Sequence, residues 1–212
     1  MSSVANQRAT TGKMSPRRAE ILARAGRLFA EKGFESASLR DIGDAVGMLR
    51  GSLYSHFDSK DQIVLEFLMP PLREIYRALD DAVKTNGSGV VRLERCAEAA
   101  LDCCIEYRDA FLILFQDRHL IERRPQLREA NDLANSLTPL WFQVIEAGQN
   151  DGSIRKDIDV QLLAQALFSL LFGAISDRHI GLQRATGFAE IPPDKLHQLV
   201  HAVFFEGVCT RR

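Results

Sequence analysis

Apolar residues recur along most of this 212-residue chain at the three- and four-residue spacing of one helix face. No stretch alternates apolar and polar residues over the length of a strand. The pattern therefore predicts an all-α fold of about nine helices. We predict them over residues 16–32, 38–46, 49–56, 59–83, 90–107, 110–119, 126–148, 159–180 and 193–207.

The ends of the first helices carry recognisable capping residues. Capping boxes, in which a serine stands three residues before an acid or amide, open the second and fourth helices at Ser38–Asp41 and Ser59–Gln62. Ser15 is predicted to cap the first helix. Gly33 and Gly47 are predicted to end the first and second helices, which makes the second barely two turns long.

Two consecutive prolines, Pro70 and Pro71, interrupt the fourth helical pattern. A proline inside a helix lacks its backbone donor, and its ring crowds a preceding carbonyl group. We therefore expect a kink or a break that divides this helix into two segments.

The charges are divided unevenly along the chain, although its net charge is −1. Residues 1–60 hold ten Lys or Arg against six Asp or Glu, and the remainder is acidic. This asymmetry favours contact of the N-terminal part with a polyanion, the alternative being a solvated charged face. We predict a flexible basic arm over residues 1–14, a small helical domain over 15–60 and a larger one over 61–212.

Several functional classes lack their sequence signatures. Cys96, Cys103, Cys104 and Cys209 have no metal-ligand spacing, so buried free thiols in a reducing cytoplasm are favoured over zinc or disulfides. No signal peptide and no membrane span are recognisable, which predicts a cytoplasmic protein. No catalytic nucleophile pattern, phosphate loop or HExxH motif is present, so we expect no enzyme, metal or cofactor.

Two short helices joined at Gly47 and braced by a third are typical of a helix-turn-helix, whose second helix enters the major groove. The residues that make this interpretation specific are Ser38-Leu-Arg-Asp-Ile42, Val46-Gly47, Gly51-Ser-Leu-Tyr54, His56-Phe57 and Ser59-Lys60. Over residues 15–65 they strongly resemble the signature of the TetR family of regulators. The resemblance implies an all-helical dimer whose C-terminal domain binds a ligand and pairs through its last two long helices.

Four of the matched residues are predicted to face the phosphates of a DNA duplex. Ser38 and Lys60 are expected to cap helices whose N-termini point at the backbone, where amide dipoles attract phosphate. Tyr54 and His56 can donate hydrogen bonds to phosphates, and the alternative for both is a structural contact between helices.

Four more residues are predicted to reach the bases. Arg40, Arg50 and Ser52 are the groups best able to contact base edges. Leu49 stands where the family often has a small hydroxyl residue. Either a phosphate or cap contact is missing there, or Leu49 touches a thymine methyl group.

An aromatic-rich apolar set lies on four consecutive predicted helices of the C-terminal region. Most of its members are expected to be core, because apolar stripes at helical spacing usually are. Those nearest Phe115 and Trp141 are predicted to line a ligand pocket with a few polar groups at its mouth. These groups could bind the head of an amphipathic ligand, the alternative for each being surface solvation, and they are Gln116, Asp117, Arg118, His119, Arg178 and His179. The predicted ligand-binding residues are Phe111, Phe115, Arg118, Trp141, Phe142, Ile145, Phe168, Phe172, Ile175 and Arg178.

A second, narrower resemblance concerns the same region. The residues Leu114-Phe-Gln-Asp-Arg118, Pro125, Leu140-Trp141 and Gly152-Ser-Ile-Arg155 look like the TetR subgroup that responds to acyl-CoA thioesters and controls lipid or steroid breakdown. This resemblance implies that arginines bind the CoA phosphates. The candidates are Arg118, Arg123, Arg124 and Arg178.

The last two predicted helices carry more apolar positions than one internal face requires, which predicts a twofold four-helix contact. Two recognition helices then read successive major grooves of a roughly palindromic operator. The sequence thus predicts a homodimeric repressor that a small apolar or amphipathic ligand releases from DNA. The alternatives are a helix-turn-helix regulator whose C-terminal domain binds a protein partner, and an α-helical enzyme for which no reaction centre is found.

Overall fold

The computed structural model describes residues 14–176 and 192–209, and over these residues it contains helices and turns but no strand, which confirms the all-α prediction. None of the helices in these ranges is long and apolar enough to cross a membrane. The helices are α1 (Pro16–Lys32), α2 (Leu39–Ala45), α3 (Arg50–Leu53), α4 (Lys60–Lys84), α5 (Gly89–Glu106), α6 (Arg108–Gln116), α7 (Arg118–Arg123), α8 (Arg128–Asp151), α9 (Val160–Ser176) and α10 (Pro193–Val200). A 3-10 turn, Pro125–Leu127, precedes α8, and a π-helical turn, His201–Phe205, and a last helical turn, Glu206–Val208, follow α10.

The predicted helix starts are confirmed, with one difference in detail. Ser15 and Ser38 accept hydrogen bonds from the backbone amides three residues later, and the box at Ser38 is reciprocal. Ser59 Oγ likewise accepts from the Gln62 amide at 3.1 Å. The Gln62 side chain, however, accepts from the Asp58 amide at 2.7 Å rather than closing a box on Ser59.

Several helix bounds differ from the prediction, and two of these differences lie in the segments that form the candidate site. The predicted helix over 110–119 is divided into α6 and α7 at Asp117, whose backbone (φ −104°, ψ 19°) leaves the helical region. The predicted helix over 49–56 ends at Leu53, and the following residues form tight turns, with the His56 amide donating to the Leu53 carbonyl at 3.0 Å. Apolar periodicity continues through both places, so it does not reveal these ends.

The expected break at Pro70 and Pro71 does not occur, because α4 is a single helix of 25 residues with both prolines inside it. Buried side chains lie on both sides of the pair, including Leu68 before it and Leu72 after it. Packing along the whole length of the helix thus outweighs the loss of two backbone donors. The Cys103 thiol of α5 also donates to the Pro71 carbonyl, at 3.6 Å.

Helix α4 packs against α1, α5 and α8, so it joins the N-terminal helices to the rest of the chain. We call α1–α3 with their connecting turns the head. At the head, Gly26 of α1 allows Phe67 of α4 to lie directly against the α1 backbone. The predicted domain boundary at residue 60 falls on the first residue of α4 and stays a prediction. Residues 1–13 of the predicted arm lie outside the described residues.

Helices α5 and α8 cross with their backbones in contact at Gly89 and Gly148. The same crossing supplies the caps of α5, because its own N-cap residue, Ser88, makes no side-chain cap. Instead, Asp151 Oδ2 accepts from the Gly89 amide at 2.6 Å and Ser153 Oγ accepts from the Val90 amide at 3.0 Å. Residues at the end of α8 therefore complete the first turn of α5.

We predict that Gly89→Ala lowers the free energy of unfolding by about 1–3 kcal/mol, because its methyl group would clash with the Gly148 backbone and separate the two helices. Gly207→Ala is the matched control, since nothing lies near its added methyl group. Urea denaturation followed by circular dichroism measures both. Equal stability of the two variants would contradict the close crossing.

Candidate functional site

The turn between α2 and α3 is a Schellman motif centred on Gly47. The Met48 amide donates to the Gly43 carbonyl at 2.8 Å, the Gly47 amide donates to the Asp44 carbonyl at 3.3 Å, and Gly47 has φ of +65°. A residue other than glycine is strained at this φ. The motif ends α2 and turns the chain into α3, which is the arrangement of a helix-turn-helix.

Most of the predicted DNA-contacting side chains lie on the surface of this motif. Leu49 is 82 % exposed although it is a large apolar residue, and its side chain makes no cap hydrogen bond. Tyr54 is 44 % exposed and His56 is half-buried. Exposed alongside them are Ser38, Arg40 and Ser52. The Arg50 side chain lies outside the part of the chain that the structure describes.

An arginine that the sequence analysis did not single out fixes the head to α4. The Arg18 guanidinium donates to both carboxylate oxygens of Glu66, at 2.9 and 2.5 Å, and to the His56 carbonyl at the end of the motif. It also lies 4.0 Å from the centre of the Phe57 ring. Nearby, Arg17 donates to the Val46 carbonyl at 2.8 Å, at the C-terminus of α2. Arg17 and Arg18 lie on the polar side of α1, so these contacts could not be predicted from the sequence.

Lys60 is a correction to the predicted interface. It is the first residue of α4, not its cap, which is Ser59. Its ammonium group donates to the carbonyls of Phe34, Glu35 and Ala37 at 2.7, 3.3 and 2.9 Å. Partial burial lowers the pKa of this ammonium group. Because three carbonyls occupy its three donors, Lys60 holds the loop between α1 and α2 instead of facing outward.

Two further residues hold the same loop from the opposite side. Asp117 Oδ2 accepts a hydrogen bond from the Phe34 amide at 3.0 Å, and the Arg124 guanidinium lies 4.8 Å from the Phe34 ring centre. Arg124 also pairs with Glu35 and, at 3.1 Å, with Asp61. We call the three residues that hold this loop, Lys60, Asp117 and Arg124, the Phe34 clamp. Arg124 is thus engaged with the head, not the cavity, contrary to its suggested role at CoA phosphates.

A cavity of about 230 Å³ lies among α4, α5, α6, α8 and α9, with Arg118 of α7 at its edge. Aromatic rings form much of its wall. The ring centres of Phe115 and Phe172 are 4.1 Å apart, and Trp141 meets Phe168 edge to face at 5.5 Å. Phe115 is 49 % exposed, so the cavity opens to solvent beside it.

Six of the ten predicted ligand-binding residues line this cavity: Phe111, Phe115, Arg118, Trp141, Phe168 and Phe172. Phe142 and Ile145 do not line it. Ile145 is fully buried in the core, and Phe142 is partly buried and packs against the core. The side chain of Ile175 and the whole of Arg178 lie outside what the structure describes. The sequence analysis did not identify the remaining lining residues, Leu72, Ile75, Ala100, Leu114, Ala134, Leu137 and Thr138, as ligand-binding.

Helices α9 and α10 expose large apolar side chains. Leu162 of α9, Leu199 of α10 and Val203 of the π-helical turn are all about half exposed, at 59, 45 and 56 %. These are positions on the two helices for which the sequence predicts a twofold contact.

We predict that Ser38→Ala raises the pKa of Asp41 from about 2 toward its ordinary value of 3.8. The Ser38 hydroxyl and amide are the main groups that stabilise the Asp41 carboxylate. A lowered pKa means that the capping box is complete above 3.8 and is lost as the pH falls through about 2. Carboxyl-carbon NMR titration measures the shift, and Ser36→Ala in the same loop is the control. An unchanged Asp41 titration in Ser38→Ala would contradict the capping box.

Comparisons with known proteins agree with this geometry. The N-terminal domain described as "Bacterial regulatory proteins, tetR family" matches residues 21–67, and a "Tetracyclin repressor-like, C-terminal domain" matches residues 86–175. The HTH-type transcriptional repressor KstR2 of Rhodococcus jostii is 40 % identical over 157 residues, covering 72 % of this chain and 74 % of that protein. KstR2 of Mycobacterium tuberculosis is 32 % identical over 153 residues, covering 72 % and 76 %.

A solved structure shows that the likeness extends to the fold. The structure of the ketosteroid transcriptional regulator KstR2 of Mycobacterium tuberculosis has a TM-score of 0.81 with this chain, at 24 % identity, and covers 94 % of this chain and 98 % of that one. Because the two domains match in order and the sequence identity extends over most of the chain, this protein belongs to the TetR family of bacterial regulatory proteins.

Proposed function

We propose that the chain is a homodimeric repressor that binds a palindromic operator through two copies of the head and responds to a small ligand in its cavity. As a TetR-family protein it is a DNA-binding regulator and not an enzyme. The observation that carries the proposal is the exposed surface of the helix-turn-helix, where a large apolar side chain, Leu49, stands unsupported among polar ones. In the major groove such a side chain can make an apolar contact with a thymine methyl group.

On this proposal, the exposed residues divide into two groups. Leu49 and the base-reaching candidates Arg40, Arg50 and Ser52 enter the major groove, while Tyr54, His56 and the cap of Ser38 face the phosphates. Lys60 acts indirectly, because it positions the loop that precedes Ser38. The exposed apolar residues of α9 and α10 support pairing of two chains, which places two heads on one duplex.

We predict that Leu49→Ala weakens binding to the operator by about threefold to tenfold and leaves binding to unrelated DNA unchanged, because an apolar contact to a base is lost. Tyr54→Phe should weaken both kinds of binding by a similar factor, because a phosphate donor carries no sequence information. Fluorescence anisotropy over a range of salt concentrations, with an operator selected from random duplexes, measures these effects.

Val91→Ala is the control for Leu49, since Val91 is an exposed apolar residue on α5, outside the head. The wild-type protein should lose affinity steeply with added salt as counterions return to the phosphates. Normal operator binding by both head variants would refute the proposed interface.

The cavity suggests the class of the effector. Its volume of about 230 Å³ lies just below the ~300 Å³ at which typical ligand sites begin, and its wall is apolar and aromatic. The polar groups at its edge are Arg118 and the exposed Thr138. We infer an amphipathic effector whose flat apolar part enters the cavity and whose anionic part reaches Arg118. KstR2 of Mycobacterium tuberculosis is described as a ketosteroid transcriptional regulator, which supports an effector from lipid or steroid breakdown. The narrower sequence resemblance adds an acyl-CoA thioester as the specific candidate.

We predict that Arg118→Gln weakens binding of 1-anilinonaphthalene-8-sulfonate by about tenfold, because one charge-assisted contact to the sulfonate is lost. The same dye without its sulfonate, N-phenyl-1-naphthylamine, should bind both proteins alike. Arg95→Gln, a change at an exposed arginine of α5 that does not line the cavity, is the control variant. Dye fluorescence titration gives the affinities. If neither dye binds the wild-type protein, the alternative of a protein partner for the C-terminal helices is favoured.

A further inference from the structure

Asp117 is the one buried polar or charged side chain among the residues that the structure describes, with 8 % of its surface exposed. It is the residue at which α6 ends and α7 begins. An aspartate directly before a helix ordinarily caps that helix with its carboxylate. Here the carboxylate makes no such cap on α7 and instead accepts from the Phe34 amide, 83 residues away in the sequence.

This hydrogen bond joins the cavity to the head. Phe115, two residues before Asp117, and Arg118, directly after it, both line the cavity. On the other side, Phe34 lies in the loop that leads into the capping box of Ser38 and α2. Any movement of the α6–α7 junction is therefore transmitted to the loop on which the orientation of the helix-turn-helix depends.

Two arrangements of the chain could supply hydrogen-bond donors to the Asp117 carboxylate. A buried carboxylate must keep hydrogen-bond donors, since losing them leaves an unsolvated charge. Capping α7 would require an extended backbone at Asp117, whereas its ψ of 19° places the carboxylate toward the head. A change of one backbone angle would thus exchange the Phe34 amide for the N-terminal amides of α7. Coupling between two sites needs a two-state element of this kind.

We propose that the hydrogen bond between Asp117 and Phe34 is the contact through which occupancy of the cavity changes the position of the head and lowers its affinity for DNA. The inference rests on the proposed function. A ligand that draws Arg118 and Phe115 around itself turns the α6–α7 junction, and the Asp117 carboxylate leaves the Phe34 amide. Of the Phe34 clamp, only Lys60 and Arg124 then hold the loop between α1 and α2.

The test uses the full-length protein, its selected operator and 1-anilinonaphthalene-8-sulfonate as the probe of the cavity. Asp117→Ala removes the carboxylate, and Asp117→Leu keeps nearly its shape but has no hydrogen-bond acceptor. Asp132→Asn, an exposed carboxylate of α8 paired with Arg128, is the matched control. Operator affinity is measured by anisotropy, and hydrogen exchange of the Phe34 amide by NMR. Thermal unfolding identifies any variant that fails to fold, and the nearly isosteric Asp117→Leu then supplies the same readouts.

In the wild-type protein, saturating dye should speed exchange of the Phe34 amide and weaken operator binding by about 5- to 150-fold, the range of typical allosteric couplings. In Asp117→Ala, exchange should already be faster by about tenfold or more without dye, and operator binding weaker. Added dye should then change operator affinity by less than about twofold. The dye itself should bind this variant at least as tightly as wild type, because no hydrogen bond must first be broken.

Two results would overturn the inference while the proposed function stands. One is operator affinity of both Asp117 variants within about twofold of Asp132→Asn, the range of neutral surface changes. The other is dye that weakens operator binding of wild type without altering Phe34 exchange. If the wild-type protein shows no salt-dependent operator binding, the proposed function fails and the inference fails with it.

Discussion

The Arg18 guanidinium is the contact on which the rest of the head depends. Helices α2 and α3 have seven and four residues, far too few to be stable alone, so their position is set by what they pack against. Arg18 binds the last carbonyl of the motif, the carboxylate of Glu66 on α4 and the face of Phe57 at once. Without it, α1 and α4 would still pack, but the end of the recognition segment would lose its fixed distance from both.

The Phe34 clamp holds the opposite end of the head. Its members come from α4, from the α6–α7 junction and from the residue that follows α7, and α4, α6 and α7 also contribute residues to the cavity lining. The head is therefore fixed at two places, one leading to α4 and one to the cavity wall. Because the head is held at two places, a shift at one of them rotates the head. A head held at a single place would instead move together with that place.

Much of the fold follows from the sequence because its signals are local. Capping serines, Gly47 and the apolar faces specify most of the helices, and Leu53 and Phe57 are fully buried as their spacing indicates. The exposed residues of the helix-turn-helix were also found, since a motif of matched residues spans α2 to the start of α4. The break predicted at Pro70 was wrong. The strain at a proline can be read from the local sequence, but the packing along the whole of α4 that outweighs it cannot.

The cavity and the clamp could be predicted only in part. The aromatic residues of the cavity wall are recognisable in the sequence. Ala134 and Leu137 are not, because they line the cavity only as a result of how other helices pack around them. Lys60 and Arg124 look like free surface cations in the sequence, yet both are engaged by groups at least 23 residues away. Asp117 lies inside the predicted helix over 110–119, and nothing in the sequence indicates its contact with Phe34. Contacts of this range depend on how helices meet, and no periodicity encodes them.

The crossing of α5 and α8 has a consequence for synthesis of the protein. The groups that cap the first turn of α5 belong to Asp151 and Ser153, about 60 residues downstream. During translation α5 leaves the ribosome well before them, so its N-terminal amides remain bound to water until α8 has emerged and docked. Completion of the first turn of α5 therefore waits for residues 151 and 153, whereas the serines that cap α1 and α2 lie only three residues before the amides they bind.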